Sequence, residues 1–155
     1  APCEIPDLYA IRMLETEPVV LLVRLGHRLA GLPQITPVDL LAFDWVMPAP
    51  DAVLGRTVGA RLAALGLPMP PQRLATSSFL LTLAMMQQSN AIAPVASAVA
   101  DTFASGPDAP YVKLPIDLGI EVEPFGLITR AGSALPRVAT MMIDMVIRKP
   151  DPTPA

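Results

Sequence analysis

The apolar positions of this chain follow two alternating rhythms. Continuous aliphatic runs such as Val19-Val20-Leu21-Leu22-Val23 are the mark of strands buried on both faces. Between them, apolar residues recur every three or four positions, the stripe of an amphipathic helix. Tyr9 to Leu14 has strand-like composition and breaks at Glu15-Thr16-Glu17-Pro18, and Gly26 to Gln34 reads as loop. Thr36-Pro37-Val38-Asp39 opens a short helix, with Thr36 as its cap, Pro37 at the first helical position and Asp39 at the positive dipole end. Trp45-Val46-Met47 follows as a strand that stops at Pro48-Ala49-Pro50.

Asp51 is then placed as the N-cap of a helix whose stripe is Leu54, Val58, Leu62 and Leu65, ended by Gly66 and held open by Pro68, Pro70 and Pro71. Arg73 to Ala75 is a short strand, and Thr76 or Ser77 caps a helix with Phe79, Leu80, Leu83, Ala84 and Met86 on its face. Ser89-Asn90 ends that helix, and Ala91-Ile92-Ala93 returns as a buried strand. Val95, Val99 and Phe103 mark another helix, closed by Gly106-Pro107. Tyr111 to Leu114 and Phe125 to Thr129 read as strands. A last helix runs from Leu135 or Pro136 to Arg148 with Val138, Met141, Met142 and Met145 inward, before a frayed tail at Pro150, Pro152 and Pro154.

Strands alternating with helices over short connections predict an α/β fold, a mainly parallel sheet flanked by helices on both faces. Ligands in such sheets sit beyond the carboxyl ends of strands, against helix N-termini. Two turns meet that description: Met47-Pro48-Ala49-Pro50-Asp51 and Ala75-Thr76-Ser77-Ser78-Phe79. The hydroxyls and backbone N–H groups of the second suit a carboxylate or another small polar molecule, although plain helix capping by Thr76 or Ser77 uses the same residues.

Composition sharpens the picture. Hydrophobic residues make up 52% of the chain and charged residues 16%, against about 25% charged in an ordinary soluble domain. That excess excludes disorder and leaves two explanations: a membrane span, or apolar surface buried against something else. From Leu74 to Ala100 there is no Asp, Glu, Lys or Arg. A span needs about 20 apolar residues, but Gln87-Gln88-Ser89-Asn90 divides the stretch into halves too short to cross. The net charge of −3 argues against a phosphate-neutralising face on this segment. Ala1-Pro2-Cys3-Glu4 shows neither a basic n-region nor an apolar h-region, so no signal peptide is expected, and the single cysteine, Cys3, fits a reducing cytoplasm.

Catalytic constellations are scarce. His27 is the only histidine and lies in a Gly-bounded loop, where a solvated ring is expected; it rules out a multi-histidine metal centre. Glu15/Glu17 and Glu121/Glu123 could each present two carboxylates on one face of an extended segment, but each pair precedes a proline and reads as an exposed turn. Gly55 and Gly59 lie within a helical stripe with no following Lys, so they do not form a phosphate loop. Neither enzyme chemistry nor a cofactor is indicated.

The order of segments resembles the effector-binding domain of LysR-type transcriptional regulators along nearly the whole chain. The likeness is carried by Val19 to Gly31 (VVLLVRLGHRLAG), Ile35 to Pro48 (ITPVDLLAFDWVMP), the Ser-capped helix and buried strand of Thr76 to Ala96, and Phe125 to Ile147 (FGLITRAGSALPRVATMMIDMVI). It implies one lobe of a fold like type II periplasmic binding proteins, with a small effector held in a cleft between lobes. Residues 1–18 would then be the end of a first lobe, 19–130 the second lobe with hinge strands at Leu21–Arg24 and Gly126–Arg130, 131–149 a helix returning to the first lobe, and 150–155 a disordered tail. The resemblance assigns the ligand wall to Met47, Pro48, Ala49, Thr76, Ser77, Ser78 and Phe79. It also implies a homo-oligomer, a small-molecule effector as partner, no membrane, and DNA contact only through a separate N-terminal helix-turn-helix.

Set against the family pattern, the chain is expected to lack that DNA-binding domain and most of the first lobe. It also carries Arg28 where Pro usually follows Gly-His, and Ser89-Asn90-Ala91 in place of a glycine-rich turn. A transport solute-binding protein shares the implied fold and stays open as an alternative, as does an enzyme lobe of similar topology.

Overall fold

The computed structural model describes residues 8–70 and 72–147; Cys3 and the 150–155 tail lie outside them. In chain order the elements are β1 (Tyr9–Met13), β2 (Glu17–Arg24), two 3-10 turns (Arg28–Gly31 and Asp39–Ala42), β3 (Trp45–Met47), α1 (Val53–Ala64), β4 (Gln72–Ala75), α2 (Phe79–Gln87), β5 (Ala93–Ala96), α3 (Ser97–Phe103), β6 (Tyr111–Lys113), β7 (Glu121–Val122), β8 (Gly126–Arg130) and α4 (Arg137–Ile147). They fall into two compact units, Thr16–Glu123 and Ala1–Glu15 with Pro124–Ala155.

In the larger unit the aliphatic run of β2 organises two cores. Successive side chains of a strand point to opposite faces. Val19, Leu21 and Val23 therefore join Leu29, Leu40, Trp45, Met47 and the α1 residues Val58 and Leu62 on one side. Leu22, with half-buried Val20, joins Val46, Met86 of α2, Val95 of β5 and Ala100 of α3 on the other. Trp45 is 1% exposed, and its Nε1 donates to the Leu40 carbonyl at 3.3 Å. Of the expected α1 stripe, Val58 and Leu62 are buried and Leu54 is half-buried against the core, whereas Leu65, already the C-cap, is exposed. Gly66 (φ 68°) turns the chain out of the helix.

The α/β class and the helices on both faces stand, but the sheet is not mainly parallel. β2 pairs antiparallel with β5, β6 and β7, and β1 pairs antiparallel with β8. Among the described residues, parallel pairing is confined to β3 with β4 and a single bridge from Trp45 to Ile92. The physical reason is that an unbroken aliphatic run reports only that both faces are covered. It carries no record of the direction in which neighbouring strands run.

Local expectations changed at several helix starts. The segment after Thr36 makes only a 3-10 turn, and Asp39 accepts from the Thr36 amide (2.8 Å) and hydroxyl (2.7 Å), so the carboxylate caps backward. These bonds, the hydroxyl first, hold the Asp39 carboxyl below its ordinary range. Ala52 rather than Asp51 occupies the N-cap of α1. Ser78, not Thr76 or Ser77, caps α2 by accepting from the Leu81 amide at 3.3 Å. Leu80 on the expected α2 face is exposed. Glu121 falls in β7 rather than a turn, and Glu17 in β2 accepts from the Ala98 amide at the start of α3 at 2.8 Å.

In the smaller unit, β1 and β8 form a two-stranded ribbon in which Tyr9 lies opposite Arg130 and Met13 opposite Gly126. Gly126–Arg130 thus pairs with Tyr9–Met13, while Leu21–Arg24 belongs to the larger unit. No residue of α4 is buried. Val138, Met142 and Met145 are all more than 60% exposed, so the expectation that they and Met141 face inward fails.

Candidate functional site

At the carboxyl ends of β3, β4 and β5 the larger unit opens into a cavity of about 370 Å³. The turn after β3 approaches α1 closely because residue 55 is glycine. A Cβ there would lie 2.4 Å from the Ala49 carbonyl oxygen and 3.2 Å from that of Pro48. The Ala52 amide closes this turn on the Ala49 carbonyl at 2.9 Å, and the Thr76 amide ties the turn after β4 to the Met47 carbonyl at 3.0 Å.

The second turn is rigidified by its own hydroxyls. Thr76 Oγ1 accepts from the Ser78 amide at 3.0 Å, the Ser78 hydroxyl caps α2, and Thr82 Oγ1 donates to the Ser78 carbonyl at 3.2 Å. Phe79 meets Phe103 of α3 edge to face, with centroids 5.2 Å apart, which fixes the aromatic wall.

Of the residues expected at a ligand wall, Pro48, Thr76, Ser77 and Phe79 line this cavity. The others serve it from behind: Met47 is buried in the core, Ala49 packs on Gly55, and Ser78 caps the helix. The structure adds Val46, Ala52, Leu54, Thr82, Pro94, Val95, Ala96 and Val99. Sequence reasoning missed these because it weighed turn residues alone. Thr82 lies one helical turn after Ser78, and that spacing was the available signal. The lining has aliphatic walls, one aromatic ring and three hydroxyls, with no charged side chain. A polar group seated there would take hydrogen bonds from Thr76 and Ser77 and could donate to Thr82 Oγ1, whose own hydrogen goes to the Ser78 carbonyl. An apolar body would lie on Phe79, Val95 and Val99.

Among the described residues no cluster of His, Cys, Asp and Glu could hold a metal, and no helix is long and apolar enough to cross a membrane. His27 is not solvated, as a loop position suggested, but buried.

Comparison with known proteins gives a consistent result. The family model described as LysR substrate binding domain matches residues 1–150. The HTH-type transcriptional regulator GbpR of Rhizobium radiobacter is 38% identical over 104 residues, 67% of this chain and 34% of that protein. GbpR of Azospirillum brasilense is 27% identical over 115 residues, 74% of this chain and 33% of that protein. The chain thus spans about a third of the length of these curated relatives. Among solved structures, the fold is similar to the Synechocystis CcmR regulatory domain in complex with 2-PG. That match has a TM-score of 0.70 at 17% identity and covers 95% of this chain and 68% of that one. The effector-binding domain of QuiR in complex with shikimate gives a TM-score of 0.60 at 14% identity, covering 93% and 66%. At such identities the likeness is one of fold.

Proposed function

The chain belongs to the LysR substrate-binding domain family, and from that premise we propose that it senses a small-molecule effector through the cavity beyond β3, β4 and β5. The observation that carries this reading is the convergence of Pro48, Thr76, Ser77 and Phe79 on one concave, mostly apolar space with a few placed hydroxyls, the usual make-up of a small-molecule site. Thr82, Val95 and Val99 complete the contact surface, while Met47, Ala49 and Ser78 hold it in shape. A small anion placed here would be held by hydroxyls and the first amides of α2 rather than by a cationic side chain.

In the whole protein, a separate helix-turn-helix would contact DNA and the assembly would be a cytoplasmic homo-oligomer. Effector binding then acts as a population shift, favouring the arrangement of subunits that binds effector better. The names of the curated relatives, both HTH-type transcriptional regulators, support this reading over a transport solute-binding protein or an enzyme lobe.

The test is a thermal-shift screen of small carboxylates and neutral polyols on the full-length protein, followed by titration calorimetry. A true effector at 100 times its Kd raises stability by about 2.7 kcal/mol. In a Ser77→Ala, Thr82→Val double variant its affinity should fall by roughly tenfold, as expected for losing two modest hydrogen bonds. A confirmed effector that binds the double variant at full strength would move the site elsewhere.

A further inference from the structure

The turn after β2 and the turn before β5 are tied together by one histidine. His27 is 2% exposed, and both ring nitrogens are engaged. Nδ1 accepts from the Leu29 amide at 3.2 Å. The ring is therefore neutral with its hydrogen on Nε2, which donates to the Asn90 carbonyl at 3.1 Å. The Asn90 side-chain oxygen in turn accepts from Arg24 Nε at 3.1 Å and Nη2 at 2.7 Å.

The groups facing the ring come from four segments. Arg24 belongs to β2, Arg28 to the ring's own turn, Phe43 to the segment after the second 3-10 turn (ring centroids 4.7 Å apart), and Asn90 to the turn before β5. Asp44, beside Phe43, borders with Arg28, Ser89 and Asn90 a polar surface depression just outside. Leu29, 3% exposed, is the apolar plug by which the 28–31 turn enters the core.

We propose that His27 is an acid-released latch: a proton on Nδ1 sets two N–H donors head to head at Leu29, and the Arg28–Gly31 turn with its Leu29 plug leaves the core while the β2 ladder stays formed. The Nε2 bond to Asn90 survives protonation, so release begins at the Leu29 end. Burial, and then the charges of Arg24 and Arg28, hold the ring below its ordinary pKa, against the Asn90 bond, which raises it. Folding thus favours the neutral ring. Its contribution is complete above the unfolded value near 6.5 and declines as pH falls below it. The inference is independent of the effector site.

With one histidine in the chain, the ring gives a single NMR titration. Backbone hydrogen exchange, expressed as protection factors, is read over pH 7.5 to 5 on the same sample. The ring should titrate below about 6.5, and Leu29 protection should fall at least tenfold over that interval while the β2 amides keep theirs. Replacing the exposed Arg28 (Arg28→Gln) removes a like charge and should raise the midpoint by a few tenths of a pH unit. His27→Gln should make Leu29 protection independent of pH. A ring that titrates at or above its ordinary value, loss of Leu29 protection in step with β2, or an unmoved midpoint in Arg28→Gln would each overturn the latch. The wild-type and Arg28→Gln results decide the matter even where His27→Gln does not fold.

Discussion

The two units treat the same kind of sequence pattern in opposite ways. In Thr16–Glu123 the stripe of α1 becomes core, with Val58 and Leu62 sealed against β-strand side chains. In the other unit α4 is strongly amphipathic in sequence and yet buries none of its residues, and every residue of β1 is exposed. A stripe is therefore only an offer of surface. It turns into stability where another element presents a complementary face, and otherwise remains an apolar patch of the kind that marks contact sites.

The widest contrast comes from truncating the core. Trp45→Ala should cost about 3–5 kcal/mol, since it empties the largest buried side chain. Urea unfolding followed by circular dichroism is the appropriate readout, because the chain has no other tryptophan. A loss below 1 kcal/mol would mean that the larger unit's core is not the source of its stability.

A smaller effect is expected where a helix touches a turn. Gly55→Ala gains helix propensity but sets a methyl against the Ala49 carbonyl, for a net loss of about 1–2 kcal/mol. The same displacement should reshape the cavity rim and weaken effector binding, an outcome separable from stability by calorimetry at low temperature. A stable variant with unchanged affinity would show that the Pro48–Ala49 turn is free to move.

The least costly change should be on the exposed helix. Met142→Ser with Met145→Ser should alter unfolding free energy by no more than about 0.5 kcal/mol, while reducing self-association measured by light scattering. A large destabilisation would erase the contrast between the units and show that the α4 face is covered within the chain.

Much of the fold was legible because its signals are local. Val19–Val23, the spacing of Val58 and Leu62, and Gly66 as a helix stop depend only on near neighbours, and the two turns beyond β3 and β4 follow from strand ends and caps. The cavity was half legible. Pro48, Thr76, Ser77 and Phe79 sit in those turns, whereas Val95, Val99 and Thr82 enter only when β5, α3 and α2 are brought alongside. His27 could not be read correctly, because its partner Asn90 lies on a different turn and a loop position says nothing about what folds over it.

By itself, then, the sequence determined where most strands and helices lie, though not the 3-10 turn after Thr36, β7 or the place of Val95 in β5. It also showed that neither half of Leu74–Ala100 suits a membrane and which two turns merit attention. Tertiary structure alone decided strand direction, the burial of His27 and the exposure of α4. The division has one physical cause. Propensity, capping and periodicity act over a few residues, whereas pairing direction and burial depend on which distant surfaces meet.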